Sequence, residues 1–442
     1  MNTQQKLKKY LGKIKKEDKK INSFIHIRNE KELLDEARAI DEKIHSKKSG
    51  KLAGMIVAVK SNINVKGLKI SCASKTLENY QGTYDADVID KIKKEDGLII
   101  GMTNMDEFAC GSSGETSYFG VTRNPNNPDL IPGGSSSGSA AAVAAGFCDV
   151  ALGSETGGSI RNPSSHCGIV GVKPSYGLVS RHGLIDLSMS LDQIGPMARN
   201  VKDAALLLDV IKGKSENDST SFSSKEINVN KIGKAPKKIS VGILNFDSGN
   251  KELGELIKSK VSECVKRHGW NSKEVEINYL DLAVQTYYPL VYVEFFSGTR
   301  RFDGRKYGFK IEDVSGVEVL RRILGGSEIS KAEYGDRYYH KALKVKKLIE
   351  TEFENVFKKF DCVISPTVVK EPHKIGSSIS VEEMYNYDIL TTPSNLAGNC
   401  AMSIPAGRIN GFPVGMQIIC DKFQEEKMLQ IANAIEKLNS DQ

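Results

Sequence analysis

The sequence predicts an α/β protein built on one large β-sheet with helices on both of its faces. Three observations lead to this fold class. Short apolar segments that suit strands alternate with longer amphipathic segments that suit helices along most of the chain. The apolar runs at 54–60 and 97–101 are continuous, which is typical of strands buried on both faces. A chain of 442 residues with 39% hydrophobic residues is long enough to bury a large core.

The first 50 residues predict helices. Ile21, Phe24 and Ile25 are spaced for one helix face, and the segment from Glu30 to His45 is rich in strong helix formers. The chain is therefore divided into an N-terminal helical segment, 1–50, and a single large domain, 51–442.

The remaining elements follow in order along the chain. Apolar runs predict strands, and amphipathic or alanine-rich runs predict helices. The predicted strands are 54–60, 97–101, 150–152, 240–244 and 361–365, and 400–420 predicts adjacent strands. The predicted helices are 86–94, 139–147, 202–212, 253–267 and 331–358. Asn and Pro residues predict a loop at 124–128, and the polar, low-complexity segment 213–237 predicts an exposed loop.

Composition and charge exclude several classes of protein. The net charge of +7 is modest, and the lysine-rich stretch 6–20 suits a solvated face better than a nucleic-acid site. The eight cysteines form no CxxC pair, so we expect buried free thiols in a reducing cytoplasm, with no metal site. We expect neither a secretory signal nor a membrane span, because no uninterrupted apolar run reaches about 18 residues.

Two glycine- and serine-rich loops, 132–139 and 153–161, carry most of the chemistry in this chain. A phosphate cradle is disfavoured because neither Gly-Lys-Ser/Thr nor G-x-G-x-x-G is present at the first loop. Ser136 formally centres a G-x-S-x-G nucleophile elbow, but a loop rich in Asn and Pro precedes it where an elbow needs a strand. A plain linker is disfavoured because both loops abut apolar elements.

Lys60 ends the apolar run 54–60. A lysine at a strand end ordinarily extends to water. A buried lysine instead loses its charge to desolvation and becomes a usable base near neutral pH. No histidine lies in a pattern that would place it against a serine, so a Ser-His-Asp triad is not expected.

These loops resemble those of the amidase signature family, whose mechanism uses a Ser-Ser-Lys triad. The resemblance implies that Lys60 is the base, Ser135 the bridging serine after a cis peptide bond, and Ser159 the nucleophile that forms an acyl-enzyme. It also implies a fold with a large central mixed β-sheet covered by helices on both faces. The implied oxyanion hole consists of the backbone N–H groups of Thr156, Gly157, Gly158 and Ser159. Glu155 and Arg161 are expected to hold the loop.

Further segments are similar to the A subunits of tRNA-dependent amidotransferases. The similarity runs from about residue 50 to about residue 420, and its segments are 103–108, 190–196, 301–304, 321–323 and 393–398. The chain departs from the usual pattern at Ser137, where glycine is usual, and at Glu155, where aspartate is commoner; neither change removes a triad atom.

The resemblance implies hydrolysis of glutamine. Arg322 is expected to bind the substrate carboxylate and Asp388 its ammonium group, with Tyr287 as a polar aromatic wall; Arg321 is the alternative to Arg322. Opposite charges suit the two charged ends of a free amino acid.

The implied partners are two further subunits, B and a small C, in a heterotrimer. A tunnel would carry the ammonia to the B subunit, which would use ATP and Mg²⁺ to activate Glu-tRNA(Gln) or Asp-tRNA(Asn), so no cofactor is expected in this chain. The alternatives are a stand-alone amidase acting on small aliphatic or aryl amides and, third, a non-catalytic scaffold.

Overall fold

One mixed β-sheet forms the centre of the computed structural model, which describes residues 1–224, 226–246, 249–334 and 336–440, without the side chains of 439 and 440. Within these ranges the sheet has 11 strands, in the order β1-β3-β2-β4-β6-β5-β10-β11-β9-β7-β8. They are β1 (Phe24–Ile27), β2 (Ile56–Lys60), β3 (Leu98–Thr103), β4 (Val150–Glu155), β5 (Val170–Lys173), β6 (Gln193–Ala198), β7 (Ser240–Leu244), β8 (Asn271–Val275), β9 (Cys362–Pro366), β10 (Cys400–Ile409) and β11 (Phe412–Cys420). β2 pairs in parallel with β3 and β4, and β7 with β8 and β9, whereas the other pairs are antiparallel.

Helices cover both faces of this sheet. In the described ranges they are α1 (Thr3–Ile21), α2 (Glu30–His45), α3 (Asp87–Lys94), α4 (Ser137–Ala144), α5 (Arg161–Cys167), α6 (Val201–Ile211), α7 (Val229–Ile232), α8 (Lys251–His268), α9 (Ala283–Thr299), α10 (Ile311–Val314), α11 (Val317–Ile329), α12 (Tyr339–Phe357), α13 (Val381–Tyr385), α14 (Thr392–Ala397) and α15 (Glu425–Ser440). Alternate residues of β2 enter different cores: Val57 and Val59 pack in one, Ile56 and Ala58 in the other. The predicted mixed sheet with helices on both faces is therefore confirmed.

The strands predicted from apolar runs all occur, as β2, β3, β4, β7 and β9, and residues 400–420 form the antiparallel pair β10 and β11. The predicted helices occur as α3, α4, α6, α8 and α12. The last of these begins at Tyr339, eight residues after its predicted start. Residues 124–128 lie outside helices and strands, as predicted.

The prediction that residues 1–50 are helical is wrong for residues 24–27. Asn22 ends α1 in the left-handed conformation, with φ of 58°, and the chain then forms β1. This strand pairs antiparallel with β3, so the N-terminal segment contributes an edge strand to the sheet. The division into segments 1–50 and 51–442 stays a prediction.

The polar segment 213–237 is mostly irregular, as expected, but it is only partly exposed. Ile227 and Ile232 are buried in the core, and α7 forms near the end of the segment. The Asp218 carboxylate accepts hydrogen bonds from the N–H groups of Arg181 and Thr220. Apolar contacts and hydrogen bonds therefore hold this segment against the domain.

The parallel pair β2 and β4 positions the two serine-rich loops. Parallel strands end at the same sheet edge, so Lys60 at the end of β2 lies beside the end of β4 at Glu155. Residues 156–160 connect β4 to α5, and α4 follows the loop that contains Ser135. None of the helices within the described ranges combines the length and apolar character needed to cross a membrane.

Candidate active site

Lys60 is completely buried at the end of β2. Its Nζ donates to Ser135 Oγ at 2.8 Å and to the carbonyl oxygen of Ser154 at 3.1 Å. Burial lowers the pKa of Lys60 to about 7, although the carboxylates of Asp106 and Asp192 act in the opposite direction. Desolvation therefore outweighs the attraction of these charges, and a large fraction of Lys60 is neutral near neutral pH. The predicted base is hydrogen-bonded directly to the predicted bridging serine.

The two serine-rich loops contact each other through their backbones. The peptide bond between Gly134 and Ser135 is cis. The N–H of Ser136 donates to the carbonyl oxygen of Ser159 at 3.1 Å. Ser136 Oγ donates to the carbonyl oxygen of Ser154, so the serine of the formal elbow is occupied by the backbone. Ser159 is 7% exposed whereas Ser135 is completely buried, which makes Ser159 the serine that a substrate reaches.

The loop after β4 presents free backbone donors. The carbonyl oxygens of Gly158 and Ser159 accept from the N–H groups of Asn162, at 2.7 Å, and Ser136. In the described part of the chain, the N–H groups of Thr156, Gly157, Gly158 and Ser159 donate to no acceptor. Peptide groups that are held through their carbonyl oxygens and have unpaired N–H groups are suited to stabilise a developing oxyanion.

Both glycines of this loop are required by close neighbours. A side-chain carbon at Gly157 would lie 2.8 Å from Cζ of Tyr287, and one at Gly158 would overlap the carboxylate of Asp388. The loop therefore lies directly against Tyr287 and Asp388, two of the residues predicted to bind substrate. Because Gly157 and Gly158 have no side chains, nothing separates these two residues from the free N–H groups of the loop.

Glu155 and Arg161 hold the loop, as predicted. Both are buried; Arg161 Nε donates to Glu155 at 2.9 Å, and its two terminal nitrogens donate to Ser394 Oγ and the carbonyl oxygen of Thr391, each at 2.9 Å. Burial by itself raises the pKa of Glu155, but the charge and hydrogen bonds of Arg161 outweigh it and leave this pKa below its ordinary value. The pair ties the start of α5 to α14.

Arg322 lies inside the protein and Arg321 at its surface. The side chain of Arg322 is 4% exposed and that of Arg321 36%. Arg322 Nε donates to Glu318 at 3.0 Å, and its guanidinium lies 5.6 Å from the ring centre of Tyr288, next to Tyr287 on α9. Arg321 lines a surface cavity of about 280 Å³. Of the two candidates, Arg322 is therefore the one that is buried beside the tyrosines of α9.

Asp388 is buried with half of its carboxylate unused. Oδ2 accepts from Ser112 Oγ at 2.7 Å, whereas Oδ1 has no hydrogen-bond partner within the described ranges. Burial raises the pKa of Asp388 to about 6. An unpartnered, buried carboxylate oxygen beside Gly158 is suited to an ammonium group of a substrate.

Three supporting carboxylate and hydroxyl groups were not predicted from the sequence. Asp192 accepts a hydrogen bond of 2.6 Å from Thr156 Oγ1, and burial raises its pKa to about 7. Ser112 contacts Asp388, and Glu318 contacts Arg322. Asp192 falls within the segment 190–196, whose similarity to tRNA-dependent amidotransferases was the available signal, but nothing local assigned it a role. The described residues contain no group of three or more His, Cys, Asp and Glu side chains arranged to hold a metal ion.

Comparisons with known proteins identify the family of this chain. The sequence model of the amidase family matches residues 5–429. The chain is 52% identical to the A subunit of the glutamyl-tRNA(Gln) amidotransferase of Methanocaldococcus jannaschii, over 98% of this chain and 99% of that protein.

Two solved structures are similar in fold. The crystal structure of the A subunit of glutamyl-tRNA(Gln) amidotransferase from Thermotoga maritima has a TM-score of 0.84 at 37% identity, over 99% of this chain and 94% of that one. The native peptide amidase of Stenotrophomonas maltophilia has a TM-score of 0.87 at 26% identity, over 100% of this chain and 94% of that one. These matches over nearly the whole length, in a chain with a buried lysine hydrogen-bonded to a serine, show that the chain belongs to the amidase signature family.

Proposed function

We propose that this chain is the glutamine-hydrolysing component of a tRNA-dependent amidotransferase, its A subunit. The observation that carries the proposal is the buried Lys60–Ser135 hydrogen bond next to the loop of Ser159, in a chain 52% identical to a protein of that name. The product released would be ammonia, for amidation of the misacylated tRNA in a partner subunit.

The mechanism begins with neutral Lys60, which takes the proton of Ser135 as Ser135 takes that of Ser159. Ser159 Oγ attacks the carboxamide carbon, and the oxygen that gains negative charge is stabilised by the free N–H groups of Thr156, Gly157, Gly158 and Ser159. The C–N bond then breaks, and the proton returns through Ser135 to the leaving ammonia. A water molecule hydrolyses the glutamyl ester of Ser159 by the same route.

Recognition of glutamine would use the two buried charges around the loop. Asp388 Oδ1 would accept a hydrogen bond from the α-ammonium group. Arg322 is held through Nε by Glu318, which leaves its two terminal nitrogens for the α-carboxylate. Tyr287 would form the wall between them, against Gly157.

The partners proposed are a B subunit, which would use ATP and Mg²⁺ on Glu-tRNA(Gln) or Asp-tRNA(Asn), and a small C subunit. The name of the Methanocaldococcus jannaschii relative, which describes one subunit of a glutamyl-tRNA(Gln) amidotransferase, supports such an assembly. We propose that the complex acts in the cytoplasm, because all eight cysteines are free and buried.

A stand-alone amidase is the second candidate, because the fold is also similar to a peptide amidase. The buried Asp388 Oδ1, which has no hydrogen-bond partner within the described ranges, favours a free amino acid over small aliphatic or aryl amides, since an apolar amide would leave it without a partner.

The experiment is ammonia release from glutamine by the chain co-purified with its B and C subunits. Ser159→Ala and Lys60→Ala are expected to abolish it, whereas Ser137→Ala, whose hydroxyl donates to Thr122 Oγ1 at 3.3 Å, should stay active. Strong turnover of simple amides by the chain alone, with none of glutamine, would refute the proposal.

A matched pair of arginine variants tests the substrate contacts. Arg322→Lys should raise the KM for glutamine about 10- to 100-fold because it loses bidentate carboxylate binding. Arg321→Lys should leave KM within about twofold, since this side chain lies at the surface. The reverse result would assign the contact to Arg321.

A further inference from the structure

Residues 156–160, which carry the proposed oxyanion donors, are called the oxyanion loop. The Asp192 carboxylate connects this loop to a neighbouring segment, 187–190. Oδ1 accepts from Thr156 Oγ1 at 2.6 Å. Oδ2 accepts from the N–H groups of Leu187, at 2.7 Å, and Ser188, at 2.9 Å. The carboxylate is 3% exposed, so these three donors are its immediate environment. Thr156 has no other side-chain hydrogen bond in the described ranges.

The segment 187–190 is attached in turn to α9. Glu294 Oε2 accepts from Ser188 Oγ at 2.7 Å and from the N–H of Ser190 at 2.9 Å, and Oε1 accepts from Ser190 Oγ at 2.6 Å. The Glu294 carboxylate therefore holds Ser188 and Ser190 from one side of the segment. Asp192 holds the same segment from the other side.

Helix α9 then returns to the oxyanion loop. Tyr287 precedes Glu294 by seven residues, about two helical turns, so both side chains project from the same side of α9. The ring of Tyr287 packs against Gly157, the residue after Thr156. The contacts thus form a closed ring, Thr156–Asp192–Ser188–Glu294–Tyr287–Gly157, which runs through both the oxyanion loop and the proposed glutamine wall.

We propose that Asp192 and Glu294 are positioning residues that set the oxyanion hole. Gly157 and Gly158 have no side chains by which the loop can be anchored, so Thr156 supplies the anchor at the start of the free N–H groups. Those donors must lie about 2.7–3.1 Å from the oxyanion, and a displacement of about 1 Å costs about 100-fold in rate. This inference rests on the proposed function for its substrate only.

The test is steady-state and burst kinetics of the co-purified complex at pH 8. At that pH Lys60 is already mostly neutral, so loss of a nearby carboxylate does not change the supply of base. Asp192→Asn, which places an amide N–H₂ group where an acceptor stood, should lower kcat per burst-titrated site about 10- to 100-fold. KM for glutamine should change by less than about threefold, because Arg322 and Asp388 are not touched.

A double-mutant cycle separates positioning from loss of folding. Thr156→Val removes the same hydrogen bond from the other side, so the double variant should be no slower than the slower single variant. Glu294→Gln keeps one acceptor oxygen and should give a smaller loss of kcat.

The control is Asp96→Asn. Asp96 is also buried, accepts from the N–H of Gly50 and from Lys43, and precedes β3 at the opposite end of the strands from Lys60. It should lower stability without lowering kcat per titrated site.

The outcomes are distinguishable. If Asp192→Asn and Thr156→Val lower only the melting temperature or the fraction of titratable sites, or if their effects on kcat add, the positioning role is refuted. If the wild-type complex releases ammonia from simple amides but not from glutamine, the proposed function fails, and the same cycle is run on the accepted amide.

Discussion

The acidic limb of the pH–rate profile depends directly on the burial of Lys60. Lys60 must be neutral to accept a proton, and its pKa is lowered to about 7. We therefore expect kcat/KM for glutamine to fall as the pH drops through 7, with Lys60 about half neutral at pH 7 and about a tenth neutral at pH 6. A lysine with an ordinary pKa would be about 0.03% neutral at pH 7, so burial raises the supply of base about 1,000-fold.

Asp388 adds a second proton to this limb. It must be ionised to hold the substrate ammonium group, and burial raises its pKa to about 6. Asp192, whose pKa burial raises to about 7, also becomes protonated as the pH drops through 7. We therefore expect kcat/KM to fall at least about tenfold per pH unit between pH 7 and 6, and more steeply below pH 6, where Asp388 is protonated as well. Asp388→Asn should raise KM strongly and remove the steeper part of the limb below pH 6, with the midpoint still near 7.

The assay is ammonia release at glutamine concentrations well below KM, between pH 5 and 8.5, with stability checked at each pH. Lys60→Arg preserves a positive charge but is never neutral in this range, and it should be inactive throughout. A limb with its midpoint above 9, or a profile that is flat down to pH 5, would refute the assignment of Lys60 as a desolvated base.

Three further predictions concern stability and the loop. Lys60→Met should stabilise the inactive protein by about 3 kcal/mol at pH 6, measured by thermal unfolding. The pKa of Lys60 is lower in the folded state than in the unfolded state. The free-energy cost of burying its ammonium group is therefore complete below pH 7 and decreases as the pH rises towards 10.5. Gly157→Ala should lower kcat at least about tenfold in the glutaminase assay, since its methyl group displaces Tyr287 or the loop. Glu155→Gln should cost about 3–5 kcal/mol in denaturant unfolding, because it leaves the Arg161 charge uncompensated; a loss below about 1 kcal/mol would contradict this account.

The sequence identified the parts of the site that have a local signature. The apolar run ending in Lys60 and the glycine-serine loops are contiguous patterns, and the structure joins them through the Lys60–Ser135 hydrogen bond. Strand β1 was missed because Ile21, Phe24 and Ile25 also satisfy helical spacing; the left-handed Asn22 and pairing with β3 decide the outcome, and neither is visible locally.

No local sequence pattern assigns a role to the supporting carboxylates. Thr156 and Asp192 are 36 residues apart, and Ser188 and Glu294 are 106 residues apart, so their pairing depends on the order of β4, β6 and α9 in the fold. A sequence pattern fixes residue types at short spacing, whereas these contacts follow from which strand lies next to which. Buried charges whose partners are remote in the chain are therefore the part of such a site that only a structure supplies.

The burial that lowers the pKa of Lys60, the proposed base, also bears on which substrate the site suits. The same burial raises the pKa of Asp192 and Asp388, so each carboxylate needs donors to stay ionised. Asp192 has three donors, but Asp388 has one, with Oδ1 left unpartnered in the described structure. A bound ammonium group would supply the missing donors and lower the pKa of Asp388, whereas a neutral aliphatic amide would leave the carboxylate poorly solvated. We infer that an amino acid amide completes the charge balance of this site, and that selectivity for glutamine over simple amides is lost in Asp388→Asn before catalytic competence is.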